Sequence, residues 1–385
     1  MLQTNHESKC INIKFTRMYK KRFKIDYILL VCVLLLVIIG LFMVYSASKY
    51  VAEISYGDKF YFLKKQAFGV CAGLVCMIIF SFVNVEKLKK FKIFFLAISL
   101  LSLAILFIPG IGRTSYGANR WINLGFITIQ PSEIAKFGFI FYSAGVMSEM
   151  KSDPKTFKSM IPTLFAGCAT CVLIMLEPNM SITMCVGLTM IVMLFIGGAS
   201  IKNMLLIGVP ALCAVPLLIV LEPYRLQRLS AFLDPWSSPL GEGFQLIQSF
   251  YALGSGNWFG IGYGNSRQKY LFLPFAESDF IFSIIGEELG FIFCIFIIAI
   301  YILLVLRGFR IALRADTRFK CYLTTGISAI IAIQTLINIA VVTGSIPPTG
   351  LPLPFISAGS TSLLVFMSAI GVVLNVDRQS RKSRI

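Results

Sequence analysis

Residues 27–46 read YILLVCVLLLVIIGLFMVYS and contain no charged side chain. An apolar run of this length is what an α-helix needs to cross the hydrocarbon core of a bilayer, which takes about 20 residues. The run is too long for the apolar core of a signal peptide, and the following Ser46-Ala47-Ser48 is only a weak cleavage signal. The stretch therefore predicts an uncleaved first transmembrane helix.

The composition extends this prediction to the whole chain. Hydrophobic residues make up 57% of it and charged residues 14%, whereas soluble domains hold about 45–50% and about 25%. This excess excludes a soluble enzyme, a secreted disulfide scaffold and a disordered chain, and the continuous apolar runs favour helices over a β-barrel. We predict an all-α integral membrane protein, a polytopic bundle of about ten transmembrane helices with a large extracytoplasmic loop between helices 7 and 8. The predicted spans are 27–46, 66–83, 91–109, 133–150, 160–176, 180–198, 202–221, 280–306, 321–343 and 357–376.

The positive charge predicts the orientation. The formal net charge is +17, and with the N-terminus inside, 24 of the 35 Lys and Arg residues fall on cytoplasmic segments and 10 on outer ones. Because cytoplasmic loops carry the excess of Lys and Arg, both termini are expected in the cytoplasm. We assign 1–25 as a basic cytoplasmic tail that touches anionic membrane lipid rather than nucleic acid, 26–377 as the transmembrane domain with 222–279 as its large outer loop, and 378–385 as a cytoplasmic C-terminal tail.

Three predicted outer segments carry irregular sequence, at 110–132, 222–279 and 344–359. A 58-residue loop in a chain of otherwise short loops is typically functional. Residues 244–253 within it predict a short amphipathic helix, and the glycines from 254 to 264 permit tight turns. All three segments lie on the same side of the membrane, so function is expected at the outer face.

Charged residues inside the spans require an explanation, because each costs roughly 2.5–3.5 kcal/mol by insertion scales. Glu133 and Lys136 are three residues apart on one predicted helix, and Gln130-Pro131 suits its start. Two interpretations remain open for this pair: a helix cap with a neutralising ion pair, or the lining of a polar cavity.

Asp279 stands at the outer mouth of another span. Ser283, Gly286 and Gly290 follow it on one face of the predicted helix and form a narrow stripe of small residues. Glu287 and Glu288 lie off this stripe in different directions, so they are not expected to line the same cavity. The alternative interpretation of Asp279 is an acid that merely stabilises a helix N-terminus.

The sequence lacks the residues that several kinds of catalysis and metal binding require. The only histidine is His6, which excludes histidine-based catalysis and multi-histidine metal sites, and no nucleotide-binding or hydrolase motif is present. Cys168-Ala-Thr-Cys171 matches a C-x-x-C pattern but lies in an apolar span, where we interpret it as packing. We therefore predict no bound metal and no evident cofactor, although a divalent cation could assist a reaction at phosphate.

A series of short motifs along the chain resembles those of one known protein family. The chain resembles the SEDS proteins (shape, elongation, division and sporulation), the family that contains FtsW, RodA and SpoVE, and it is most similar to the FtsW and SpoVE branch at 265–270. One departure is that the family's P-E-A-H-T-D-F reads Pro274-Phe-Ala-Glu-Ser-Asp-Phe280 here, so that an acid stands at Glu277. The matching pieces, in family order, are Asp26-Tyr27, Tyr45–Ser48, Gly117–Ile122, Gln130–Glu133 with Lys136, Gly254–Gly256, Gly262–Ser266, Ser278–Phe282, Gly286–Gly290 and Leu353–Ser357.

The resemblance implies a function and a set of partners. It implies a peptidoglycan glycosyltransferase that polymerises lipid II into glycan strands on the outer face of the bacterial plasma membrane, for cell division, cell shape or the spore cortex. It also implies a class B penicillin-binding protein as transpeptidase partner, and it places the family's essential aspartate on Asp279. By location, the candidate substrate-binding residues are Arg120, Trp121, Gln130, Glu133, Lys136, Arg267 and Lys269.

Asp279 is then expected to act as the general base that activates the acceptor hydroxyl, with cationic side chains stabilising the diphosphate leaving group. A helix N-terminus lowers the basicity of such an acid, so burial has to raise its pKa. Arg120 beside Trp121 could equally be an interfacial anchor. Two other functions remain open: a lipid II flippase that uses Glu133, Lys136, Glu287 and Glu288 as a polar path, and a non-catalytic scaffold that recruits a synthase.

Overall fold

The structure, a computed structural model, describes residues 25–108, 112–115, 118–123, 128–150, 153–220 and 223–382. Most of the predicted N-terminal tail and residues 383–385 therefore lie outside the described residues. The helices are α1 Tyr27–Tyr56, α2 Tyr61–Phe82, α3 Val85–Leu88, α4 Lys92–Ala104, α5 Pro131–Glu149, α6 Phe157–Leu176, α7 Met180–Ile196, α8 Ile201–Val220, α9 Pro223–Leu233, α10 Phe244–Ser255, α11 Ile281–Leu313, α12 Arg318–Val342 and α13 Ser360–Lys382.

The predicted class is confirmed, since the described part of the chain is a bundle of apolar helices. Seven helical stretches in it are long and apolar enough to cross a membrane, and α7 and the first part of α8 are shorter apolar helices. Seven of the ten predicted spans fall on these seven stretches, two fall on α7 and α8, and the tenth falls on α5, which carries the charged pair Glu133 and Lys136. The helix predicted at 244–253 is also confirmed, as α10.

Two helices run further than their apolar stretches. α1 continues ten residues past its predicted end at 46 and stops at Gly57, whose φ of 66° provides a left-handed C-cap. α13 continues to Lys382, so the predicted boundary at 377 is not a break in the helix. Hydropathy locates the segment that lies in lipid, whereas the helix ends where its backbone hydrogen bonds are capped.

A small sheet departs from the all-helical prediction. Strands β1 Gly112–Ser115, β2 Ala118–Asn123 and β3 Thr128–Ile129 form an antiparallel sheet in the order β1-β2-β3. It occupies the segment between α4 and α5, and Trp121 of β2 pairs with Arg113 of β1. This sheet brings Arg120 to one end of the bundle.

α11 is interrupted at Gly290, where φ is +80° and ψ is 178°. The glycine-rich loop, residues 256–269, supplies the hydrogen bonds that the break removes. The amides of Ile261 and Gly262 donate to the carbonyls of Glu287 and Glu288, both at 3.0 Å, and the amides of Phe291 and Ile292 donate to Asn257 and Trp258. An irregular backbone among transmembrane helices is tolerated when its polar groups are satisfied in this way.

The two ends of the bundle are held by different contacts. At the end opposite Asp279, Arg307 of α11 forms an ion pair with Asp26, the N-cap of α1, with 2.5 Å between Nη2 and Oδ2. At the same end, the buried Asn375 of α13 donates to the carbonyls of Phe80 and Val83. The end that contains Asp279 gathers the turn between α6 and α7, the sheet, α9 and the segment 344–359, and is called the Asp279 end below.

Candidate active site

Asp279 lies two residues before α11 and is half-buried. Its carbonyl oxygen accepts a hydrogen bond of 2.8 Å from the side-chain amide of Asn338 on α12. A Cβ atom built on Gly350 would lie 3.3 Å from the Asp279 Oδ2 atom, so this glycine, with φ of +70°, borders the carboxylate. The carboxylate therefore faces the backbone of the segment after α12, where any larger residue would crowd it.

The surroundings raise the pKa of Asp279 to about 6. Burial is the largest cause, the charge of Glu277 adds to it, and the positive charges of Arg228 and Arg120 oppose it. The effect of burial on the pKa of Asp279 is therefore larger than the opposing effect of the two arginines, as a general base at this position requires. A carboxyl group with this pKa is mostly ionised at pH 7, yet basic enough to accept a proton near neutral pH.

Arg228 reaches the Asp279 end from α9, in the segment between α8 and α11. Its Nη1 atom donates to the carbonyl oxygen of Pro348 at 3.2 Å, and its Nε atom lies 4.0 Å from Glu242 Oε2. Pro348 precedes Gly350 by two residues, which places the guanidinium against the same segment as the Asp279 carboxylate. Arg228 was not among the predicted site residues, because the distance between α9 and this segment depends on tertiary packing.

Arg120 reaches the same end from β2. Its Nε and Nη2 atoms donate to the carbonyls of Glu177 and Pro178, at 3.1 and 2.6 Å, in the turn between α6 and α7. Ser181, in the first turn of α7, donates to the carbonyl of Thr349 next to Gly350. Arg120 thus belongs to the wall of the candidate site rather than only to the membrane interface.

Glu177 is a second acid at this end that sequence reasoning missed. It is 2% exposed, and neither carboxyl oxygen has a hydrogen-bond partner within the described part of the chain. Burial raises its pKa to about 8, against the opposing charge of Arg120. The available signal was an acid directly at the end of a predicted span, where the cost of burying a charge is high.

Glu133 and Lys136 form a fully buried ion pair. Lys136 Nζ lies 2.8 Å from Glu133 Oε1 and 2.6 Å from Gln334 Oε1, and Ser362 donates to the other oxygen of Glu133. Both side chains are 0% exposed. The structure thus places them in a network that joins α5, α12 and α13, which fits the neutralising pair better than a cavity lining.

Gln130 and Trp121, also predicted as substrate-binding residues, lie next to this region. Gln130 is buried and precedes Pro131, the first residue of α5, but its side chain does not cap the helix. Trp121 is half-buried on β2 beside Arg120. Neither side chain is among the charges or contacts that act on Asp279.

Lys269 lies in a buried ion pair rather than beside Asp279. Its Nζ atom lies 2.9 Å from Glu288 Oε1, 2.5 Å from the carbonyl of Gly264 and 3.3 Å from Ser46 of α1. Glu287 binds the same loop, through Ser266 at 2.5 Å and the amide of Arg267 at 2.9 Å. The expectation that the two glutamates do not line the same cavity is confirmed: Glu287 lines the cavity between α10 and the glycine-rich loop, whereas Glu288 accepts a hydrogen bond from Ser46 of α1. The loop nevertheless contacts both, because it wraps around the break at Gly290.

The side chain of Arg267 is exposed and lines a different cavity, of about 690 Å³, between α10 and the glycine-rich loop.

The predicted stripe of small residues that follows Asp279 along α11 is covered by α10. Ser283 bonds Ser249 of α10 at 2.8 Å, and a Cβ atom on Gly286 would overlap Leu253. The stripe therefore serves the close packing of α10 on α11, and only its outer end, Asp279, reaches the candidate site.

Comparison with known proteins identifies the family of this arrangement. A family model for FtsW, RodA and SpoVE, described as cell cycle protein, matches residues 26–382. The chain belongs to this family. It is 40% identical to stage V sporulation protein E of Bacillus subtilis over 366 residues, which cover 94% of this chain and all of that protein.

One further relative and two solved structures extend the comparison. The chain is 37% identical to a probable peptidoglycan glycosyltransferase FtsW of Geobacter sp. strain M18, over 92% of this chain and 97% of that one. It also superposes on a chain of a solved peptidoglycan synthase complex that coordinates polymerization and crosslinking, with a TM-score of 0.75, 28% identity and coverage of 92% and 98%. The rod shape determining protein RodA of Thermus thermophilus shares the fold, with a TM-score of 0.69 and 24% identity over 92% of this chain and 97% of that one.

Proposed function

We propose that this protein is a peptidoglycan glycosyltransferase that polymerises lipid II on the outer face of the bacterial plasma membrane. The proposal rests on the surroundings of Asp279, a half-buried carboxyl group with a pKa of about 6 on which the charges of two arginines act. A base and a cationic surface side by side are what glycosyl transfer from a lipid diphosphate needs. The names of the FtsW relatives support the same reaction.

In the proposed reaction, the 4-hydroxyl oxygen of the acceptor sugar attacks the anomeric carbon of the donor. Asp279 takes the hydroxyl proton as the new carbon–oxygen bond forms, and such a base contributes about 10²–10⁴-fold. The bond from the anomeric carbon to the diphosphate breaks on the opposite face, so that the configuration inverts. The diphosphate leaves with the bonding electron pair and an additional negative charge.

Arg228 and Arg120 are the cations that would stabilise this charge. Their opposing effect on the pKa of Asp279 supports this assignment. Guanidinium groups bind phosphate oxygens through pairs of parallel hydrogen bonds, which fixes the diphosphate as well as neutralising it. No group of three or more His, Cys, Asp or Glu side chains gathers as metal ligands within the described part of the chain. A divalent cation would therefore draw ligands from the diphosphate itself, and its concentration is a variable of the assay.

We also propose that a class B penicillin-binding protein is the transpeptidase partner, and that both termini lie in the cytoplasm. The similarity to a chain of a complex that coordinates polymerization and crosslinking supports the first proposal. The excess of Lys and Arg on one set of loops supports the second. Under this orientation the Asp279 end faces outward.

The flippase alternative has less support. Its proposed path used Glu133, Lys136, Glu287 and Glu288, and all four are buried in hydrogen bonds to other protein groups. A translocating path needs polar groups that exchange partners with the substrate, which fully paired groups do less readily.

The test is reconstitution of the purified protein with lipid II, with and without its transpeptidase. Glycan strands from the wild type and none from Asp279→Asn would support the proposal, because the amide keeps the shape of the side chain but cannot accept the proton. Translocation of lipid II in vesicles without polymer would favour a flippase. Neither activity, together with binding to a synthase, would favour a scaffold.

A further inference from the structure

Asn338 of α12 bridges two segments of the candidate site with one amide group. Its side chain is 1% exposed, and its Nδ2 atom donates to the carbonyl of Asp279 at 2.8 Å and to the carbonyl of Leu351 at 2.7 Å. Leu351 follows Gly350, the residue that borders the Asp279 carboxylate. The same planar group therefore holds the main chain of the acid and the wall that the acid faces.

The Asp279 peptide receives this support from a neighbouring helix. At the start of α11, the amide of Ser283 donates to the carbonyl of Phe280, so the first turn of the helix closes one residue after Asp279. The preceding residues Leu271 and Phe275 have φ of +69° and +57°, which apolar side chains seldom adopt. Backbone of this kind keeps one conformation only when its surroundings fix it.

The oxygen atom of the Asn338 amide lies in an unusual environment for a purely structural group. Its Oδ1 atom is buried and has no hydrogen-bond partner in the described residues. An unsatisfied buried acceptor costs about 1–3 kcal/mol, and such a group in a native protein calls for an explanation. A residue selected only for stability would avoid this cost, whereas one selected for the placement of its two donors would accept it.

We propose that Asn338 is a positioning residue for Asp279, which fixes the distance between the carboxylate and the segment around Gly350. The inference rests on the proposed function and specifies how its base is held. Misplacement of a reacting group by about 1 Å can cost about 10²-fold in rate. Loss of the bridge therefore lowers turnover more than it lowers substrate binding.

The experiment compares Asn338→Leu with Asn375→Leu in the full-length protein. Asn375 is an equally buried asparagine that donates to two backbone carbonyls, those of Phe80 and Val83, at the opposite end of the bundle. Leucine keeps the branched skeleton of heavy atoms without hydrogen-bonding groups, so both variants lose a bridge to two backbone carbonyls, and Asn375→Leu also loses the hydrogen bond that Asn375 accepts from Gln379. The readouts are the apparent Tm, and kcat, KM and the acid limb of the pH–rate profile with lipid II.

We expect Asn338→Leu to lower kcat by about tenfold to a hundredfold, with KM changed less than threefold and the acid limb displaced. Asn375→Leu should lower Tm to a similar extent and leave kcat within about threefold. Asn338→Gln, which keeps both donors but moves them by one methylene, should fold and still lose turnover.

Two results would overturn the proposal. One is an equal loss of Tm in Asn338→Leu and Asn375→Leu with unchanged kcat in Asn338→Leu, and the other is full activity in Asn338→Gln. Failure of the proposed function itself would look different. In that case the wild type would form no glycan strands from lipid II, or Asp279→Asn would retain activity, whatever the Asn338 variants do.

Discussion

The carboxyl group of Glu277 acts electrostatically on that of Asp279, two residues later in the chain. Burial contributes most to the raised pKa of Asp279, about 6, and the charge of Glu277 raises it further. Burial also raises the pKa of Glu277 itself. The charge of Glu277 therefore sets part of the pKa of the proposed base. The pH dependence of the reaction is a direct test of this arrangement.

The rate of polymerisation should fall as the pH drops through about 6, because protonated Asp279 cannot take a proton from the acceptor. Glu277→Gln removes a negative charge, lowers the pKa of Asp279 and moves this acid limb to lower pH. The measurement is kcat/KM between pH 5 and 8. Glu53→Gln, which changes an exposed acid of α1, is the control, and an acid limb that Glu277→Gln leaves in place would contradict the prediction.

Arg228→Ala should lower kcat/KM by about tenfold to a hundredfold, because the diphosphate loses a charged donor as its negative charge develops. Arg228→Lys should recover only part of the loss, since an ammonium group cannot form two parallel bonds to phosphate. Arg225→Ala is the matched control on α9: its guanidinium contacts Met175 Sδ at 3.5 Å and is not among the charges that act on Asp279. Equal effects of the two alanine variants would argue against a specific role for Arg228.

Glu177 should make the protein less stable as the pH rises. Its pKa is about 8 in the folded protein and 4.5 as the reference value, so between these values the folded state binds a proton that the unfolded state releases. Stability then falls with pH, by up to about 1.4 kcal/mol per pH unit. Glu177→Gln should remove this slope and raise the apparent Tm above pH 7. Parallel Tm–pH curves for the two proteins would show that the carboxyl group does not titrate as described.

Gly290→Ala should destabilise the protein or prevent its folding. The residue has φ of +80°, and an added Cβ would overlap the backbone of Gly260 and Trp258, so strain and overpacking each cost about 1–3 kcal/mol. Gly187→Ala in α7 is the control, because a Cβ there meets nothing within 4 Å. The yield and apparent Tm of purified protein measure the effect. Normal values for Gly290→Ala would mean that the loop does not pack against α11 in this way.

The sequence predicted the helices well because a run of about 20 apolar residues has few alternatives to a membrane-crossing helix. It predicted their ends less well. The ten residues of α1 beyond 46 include polar and charged side chains, so hydropathy ends the span there. The helix continues because tertiary contacts support it, among them Ser46 with Glu288 and Tyr50 with Tyr270.

The site was only partly predictable. Asp279 stood out as an acid at the mouth of a span. Gln334 and Asn338 were not predicted, although two polar residues four apart in another span indicate a polar helix face. Lys269 looked like a free cation because its partner, Glu288, comes 19 residues later and meets it only through the break at Gly290. Arg228 and Glu177 reach the site through loop packing, which no local pattern encodes.

The length of α11 fixes how high Asp279 stands above the lipid tails. From Ile281 to Arg307, which pairs with Asp26 at the far end, the two helical parts of α11 on either side of the break at Gly290 together measure about 40 Å along the chain, at 1.5 Å per residue. The hydrocarbon layer is about 30 Å thick, and about 40–45 Å with its headgroups. If the Asp26–Arg307 pair lies at one face of that layer, we expect the acid to stand near the phosphates of the opposite leaflet. A sugar carried on a lipid diphosphate rests at the same height, so the polyprenyl anchor can stay dissolved in the bilayer while its headgroup reacts.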